Sequence, residues 1–155
     1  MDNVKKKKIV CIITILAIVC FIFVFFFVIR PFFSLWTGNY GVYLSTYNIE
    51  EFEIPEGTTH IKENAFKDCD SLVSITIPSS VKYIGEHAFD GCSNLKKVHI
   101  SDIGAWCSIE FQTTGSSVGN PLQRGKLYLN GTLVKDLVIP NGVTKIEDYA
   151  FYGYL

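Results

Sequence analysis

Three sets of residues in this chain have types and spacings that could do chemistry. Gly115-Ser116-Ser117-Val118-Gly119 has the G-x-S-x-G spacing of a serine nucleophile on a tight strand-to-helix turn, whose triad partners follow in the order serine, acid, histidine. All three histidines (His60, His87 and His99) precede Ser117, and only 36 residues follow Gly119. That order cannot be met, so the segment reads as loop. The five cysteines and three histidines show neither C-x-x-C nor H-x-x-x-H spacing, which removes the usual zinc sites. Asn130-Gly131-Thr132 forms an N-glycosylation sequon, but the same Asn-Gly explains itself as a hairpin turn. No catalytic constellation remains, and neither a cofactor nor a small-molecule substrate is expected.

The elements that would position any site begin with charge and hydropathy. The chain has 155 residues with 48% hydrophobic, 14% aromatic and 19% charged positions, enough apolar surface for a core and too little charge for disorder. Residues 1–30 hold five of the 14 basic residues and one of the 15 acidic ones. The rest therefore carries nine basic and 14 acidic residues, a mild negative excess. Nucleic acid is a poor partner for such a domain, because phosphate neutralisation supplies most non-specific affinity.

Residues 9–29 read IVCIITILAIVCFIFVFFFVI, with Thr14 the only ordinary polar side chain. As a helix these residues span about 31 Å, matching a hydrocarbon core of about 30 Å. The run exceeds a secretory h-region, and Arg30-Pro31-Phe32-Phe33-Ser34-Leu35-Trp36 offers no small-x-small cleavage pattern. Four lysines precede it and one arginine follows, so the positive-inside rule places the N-terminus in the cytoplasm. The expected organisation is a cytoplasmic basic tail over 1–8, an uncleaved signal-anchor in the lipid bilayer over 9–29, and a juxtamembrane linker and cap over 30–48. Residues 49–155 then form one domain outside the cell.

That domain repeats. A shift of 23 residues carries Ile54-Pro55 onto Ile77-Pro78, Ala65-Phe66 onto Ala88-Phe89, Cys69 onto Cys92 and Leu72 onto Leu95. A further shift of 39 restores Val134, Leu137, Ile139-Pro140, Ile146 and Ala150-Phe151 to the same slots. In one unit, Leu72-x-x-Ile75-x-Ile77 alternates as a short strand, and Pro78 ends its ladder by removing an amide. Val81-x-x-Ile84 is a second extended piece. Residues 85–92 are expected to make one helical turn, with Ala88, Phe89 and Cys92 inward. So small a unit buries its apolar face only by stacking on copies of itself.

The pattern L-x-x-[IV]-x-I, then I-P, then A-F-x-x-C-x-x-L resembles the BspA-like leucine-rich repeats of microbial surface proteins. The resemblance implies a leucine-rich-repeat solenoid of short parallel strands and a role in recognition or adhesion toward an extracellular protein or matrix ligand. No asparagine follows the strand, where Pro78 and Ser79 stand instead. Residues 101–135 form an irregular insert, in which Ser101-Asp102 can cap a short helix through Trp106 and Cys107. Asn130-Gly131 should turn a hairpin between residues 126–129 and 132–134. After Phe151 only four residues follow where a strand is due, so the last repeat reads as incomplete, or as closed by Tyr152 and Tyr154.

The repeat also places side chains. Cys69 and Cys92 occupy one slot in adjacent units, about 5 Å apart at strand spacing. A disulfide fits there, and two buried thiols acting as small hydrophobes fit better. The outward strand positions form a candidate binding face. It comprises Glu50, Glu51 and Glu53, then Val73, Ser74 and Thr76, then Lys96, Lys97 and His99, then Lys135, Asp136 and Val138, grading from acidic to basic. A non-binding stalk, or a fragment of a longer repeat protein, is the alternative to a recognition module.

Overall fold

The computed structural model describes residues 48–113, 115 and 118–154. The apolar run 9–29, the tail before it, residues 30–47 of the linker, and Ser117 lie outside the described residues. Among the described residues no helix is long and apolar enough to cross a membrane.

The repeats fold as stacked coils with one strand on each of two sides. The first sheet holds β1 (Glu51–Glu53), β3 (Ser74–Thr76), β5 (Lys97–Ile100), β7 (Lys126–Leu129) and β8 (Thr132–Leu133), in the order β1-β3-β5-β7-β8. The second holds β2 (His60–Ile61), β4 (Tyr83–Ile84) and β6 (Glu110–Phe111) in sequence order. All pairs are parallel except the terminal β7–β8 hairpin. Register is fixed by burial, because a one-residue slip would turn every apolar side chain to water. Ile75, Val98 and Leu127 pair as one fully buried inward row, and Ile61, Ile84 and Phe111 form its counterpart.

Between the two sheets of each coil the expected helical turn does not form. Residues 62–69 and 85–92 instead make successive i→i−3 turns, such as Ala88 N–H to Gly85 O and Cys92 N–H to Phe89 O. The reason is a left-handed residue every fourth position: Asn64 (φ 58°) and Asp68 (58°), then His87 (56°) and Gly91 (76°), then Tyr149 (65°) and Gly153 (88°). A helix cannot propagate through such residues. The freed amides bond to the next coil, Phe66 N–H to Ala88 O at 2.8 Å and Asp68 N–H to Asp90 O at 2.7 Å. The inward placement of Ala88, Phe89 and Cys92 stands, all three being buried, and Phe66 stacks on Phe89 at 4.9 Å.

The insert follows its sequence in part. Asp102 caps α1 (Ile103–Cys107) by accepting the Ala105 N–H at 3.0 Å. Asn130 (φ 49°) and Gly131 (φ 80°) turn the β7–β8 hairpin, as a two-residue turn with both φ values positive requires. A short 3-10 turn, Pro121–Gln123, follows the capping residue Asn120.

The final coil docks on this insert through one backbone bond, Glu147 N–H to Cys107 O at 2.8 Å, and otherwise through side chains. The Trp106 indole N–H donates to Ala150 O at 2.8 Å, and the buried Asn120 amide donates to Tyr149 O at 2.7 Å and to Ala150 O at 3.1 Å. Between the regular coils backbone amides supply most such bonds.

Candidate functional site

Strand alternation sends the first sheet's remaining side chains to its outer face in two rows. Glu51, Ser74, Lys97 and Lys126 stand side by side in one; Glu53, Thr76, His99 and Tyr128 in the other. Glu51, Glu53, Ser74, Thr76, Lys97 and His99 all line one cavity of about 740 Å³, with Glu56 at its acidic end. Carboxylates therefore gather at the β1 end and ammonium groups at the β5–β7 end. His99 leans on Tyr128 with ring centroids 4.9 Å apart, so an aromatic pair adjoins the basic end.

The expected face is brought together over three strands and corrected at the fourth. Lys135 and Asp136 are exposed but lie in a bend beyond β8, outside the sheet, and Val138 is in no strand. Their slot belongs to β7, which contributes Lys126 and Tyr128. The physical cause is the insert's own alternation: Leu127 buries against Val98 in register, and so captures the sheet edge before residues 137–139 arrive. Ser74 faces the cavity but is only 7% exposed, leaving little of it for a partner. Glu50 and Lys96 sit one residue before β1 and β5 and are exposed at the rim.

The other chemistry-bearing residues are placed as follows. His60 pairs with Tyr83 on the outer face of the second sheet, rings 5.6 Å apart, and the Tyr83 hydroxyl donates to Gln112 Oε1. His87 is half-buried between carboxylates, its Nδ1 2.6 Å from Asp90 Oδ2 and its Nε2 3.5 Å from Glu86 Oε1. Among the described residues no group of three or more His, Cys, Asp or Glu is arranged to hold a metal.

Cys69, Cys92 and Cys107 are buried free thiols, and Cys92 Sγ donates to Phe66 O at 3.1 Å. The hydrogen bond with Cys92, together with burial, pushes the Cys69 thiol well above its ordinary value of 9.0. Above that value the unfolded thiol loses its proton while the folded one keeps it, so stability falls as pH rises. The same hydrogen bond holds the Cys92 thiol below its ordinary value, so the two cysteines titrate as a pair. Urea titrations at pH 8 and pH 10 should show a smaller alkaline loss when Cys69 and Cys92 are both replaced by alanine than in the parent, because Cys69→Ala alone leaves Cys92 buried without the bond that lowers it.

Among known families, the model described as BspA type Leucine rich repeat region matches residues 39–116 and 125–155. No curated protein and no solved structure matches the chain. The matched segments cover well over half of the sequence, and they carry the same Ala-Phe slots that stack here coil upon coil. The chain belongs to the family of BspA-type leucine-rich repeats.

Proposed function

We propose that this is a single-pass membrane-anchored solenoid that displays its repeats outside the cell, recognises or adheres to an extracellular protein or matrix ligand, and catalyses nothing. The observation that carries this reading is the outer face of the first sheet. One cavity runs from Glu51, Glu53 and Glu56 to Lys97 and His99, and Lys126 continues the row of Lys97. A surface of that polarity steers a partner of opposite polarity and fixes its orientation. The family supports a repeat protein of the interacting kind, and the apolar run 9–29 with its lysine flank supports the anchor.

The test joins a charge swap to a topology assay. In solid-phase binding to a panel of purified matrix proteins, Lys96→Glu with Lys97→Glu is expected to slow association about tenfold or more and to weaken its salt dependence. Equal binding by the parent and the double variant would sink the docking face, and no binding by either would favour a passive stalk. Protease treatment of intact cells should remove a C-terminal tag while the anchor stays in the membrane fraction. A tag protected until lysis would end the extracellular reading.

A further inference from the structure

A second cleft, of about 440 Å³, lies at the junction of the insert and the last coil and shares no lining residue with the sheet-face cavity. Its walls include Asp90, Thr113, Gln123, Arg124, Tyr149 and Tyr152. Tyr149 and Tyr152 are 44% and 52% exposed, and their rings meet at nearly a right angle, 83°, with centroids 6.0 Å apart. Two exposed tyrosine faces thus form a corner. Arg124 is exposed at the same cleft, and its guanidinium has no hydrogen bond or ion pair to a described residue.

The backbone gives a second and independent reason to look here. Tyr149 sits at φ 65°, in the slot that Asn64 fills at 58° in the first coil. Asparagine adopts that conformation readily, whereas a bulky residue there is an outlier. The strain is held in place by Asn120, whose amide clamps the Tyr149 and Ala150 carbonyls. Strained residues that the surrounding structure over-determines concentrate at binding sites. What the strain secures here is an exposed aromatic ring facing the cleft.

From this geometry we infer that the cleft is a saccharide-binding site selective for acidic sugars, uronic acids in particular. A pyranose ring presents flat patches of C–H that pack on aromatic faces, and the two tyrosines offer two such faces at a corner. Its hydroxyls donate to the Asp90 carboxylate, which also holds His87 Nδ1 at 2.6 Å, and to Gln123 Oε1, the Gln123 amide N–H being spent on Val118 O and Asn120 O. The ring carboxylate takes the unengaged Arg124 guanidinium in a two-point, charge-assisted pair. A neutral sugar leaves that guanidinium unused. An acidic peptide satisfies the guanidinium but has no flat C–H face for the tyrosine corner.

The test uses the full chain in lipid nanodiscs with a glucuronic-acid tetrasaccharide, a neutral cellotetraose and a tetraglutamate peptide. Irradiating the protein's aromatic protons should transfer saturation to ring protons of the acidic saccharide. Tyr152→Ala is expected to weaken binding at least tenfold, and Arg124→Gln to abolish the preference for the acidic over the neutral sugar. Tyr149→Asn should weaken binding while raising the melting temperature by a few degrees, a combination that a purely structural tyrosine would not produce. Lys97→Glu should leave saccharide binding unchanged, which separates this site from the sheet face. The inference is overturned if no saturation transfer is seen, if correctly folded Tyr152→Ala binds as the parent does, or if tetraglutamate displaces the saccharide.

Discussion

Trp106→Ala is expected to lower the unfolding free energy by about 3–5 kcal/mol. A domain of this size is stable by only about 5–15 kcal/mol, so the variant should lose a large share of its folded population. Trp106 is 1% exposed, packs against Phe111 with centroids 5.6 Å apart, and donates to Ala150 O. Alanine would leave a cavity where the insert, the second sheet and the last coil meet. Trp106→Phe separates the two contributions. It keeps most of the apolar contact and should cost about 1–2 kcal/mol for the lost donor. Because Asn120 serves the same Ala150 carbonyl, the effects of Trp106→Phe and Asn120→Ala should be non-additive. Urea titration of the single and double variants measures that coupling directly.

Gly119→Ala is the second large effect, and its cause is crowding. A methyl group on Gly119 would fall far inside contact distance of the Gly85 carbonyl oxygen. Gly85 is itself pressed against the Glu63 backbone. Three layers of backbone therefore meet with no side chain between them, and none has a flexible end that could yield. Overpacking usually costs about 1–3 kcal/mol, more where the backbone must move. We expect about 3 kcal/mol or more here, measured as a fall in the urea midpoint. Gly57→Ala is the matched control: its methyl meets nothing within 4 Å, although φ is 85°. Only left-handed strain is charged there, about 1 kcal/mol. Equal losses at the two sites would show that the close approach is not what makes Gly119 matter.

The sequence makes the stack legible because one arithmetic rule governs it. A residue and its copy 23 positions on must pair, so Phe52 with Ile75 and Ile61 with Ile84 follow from the spacing alone. The hairpin at Asn130-Gly131 and the Asp102 cap are legible for local reasons, each residue type being suited to its backbone. Two features escape this logic. The turns between the sheets carry apolar spacing that suits a helix, and only the left-handed residues at Asn64 and Asp68, which spacing does not encode, divert their amides to the next coil. The fourth outer strand escapes because Ile-Pro marks the strand ends of the regular repeats. Leu129 is followed by Asn130 rather than proline, so β7 does not announce itself as a repeat strand. Its alternation of Lys126, Leu127, Tyr128 and Leu129 was the available signal. The cleft beneath Tyr149 and Tyr152 brings together residues from three separate stretches, and no local pattern links them.

The direction of the hydrogen bonds between coils has a mechanical consequence. Val73 N–H to Glu50 O, Lys96 N–H to Val73 O and Lys126 N–H to Lys96 O all bridge neighbouring coils, so they lie along the direction in which the coils stack. A pull along that direction loads them as a zipper, one coil at a time, rather than in shear across a whole sheet. The last coil should peel first, because side chains such as Trp106 and Asn120 carry much of its attachment. Each regular coil released after it would add 23 residues, about 80 Å of slack at full extension. Under tension such a domain would lengthen in steps and hold force at each one, behaving as a graded extensible tether.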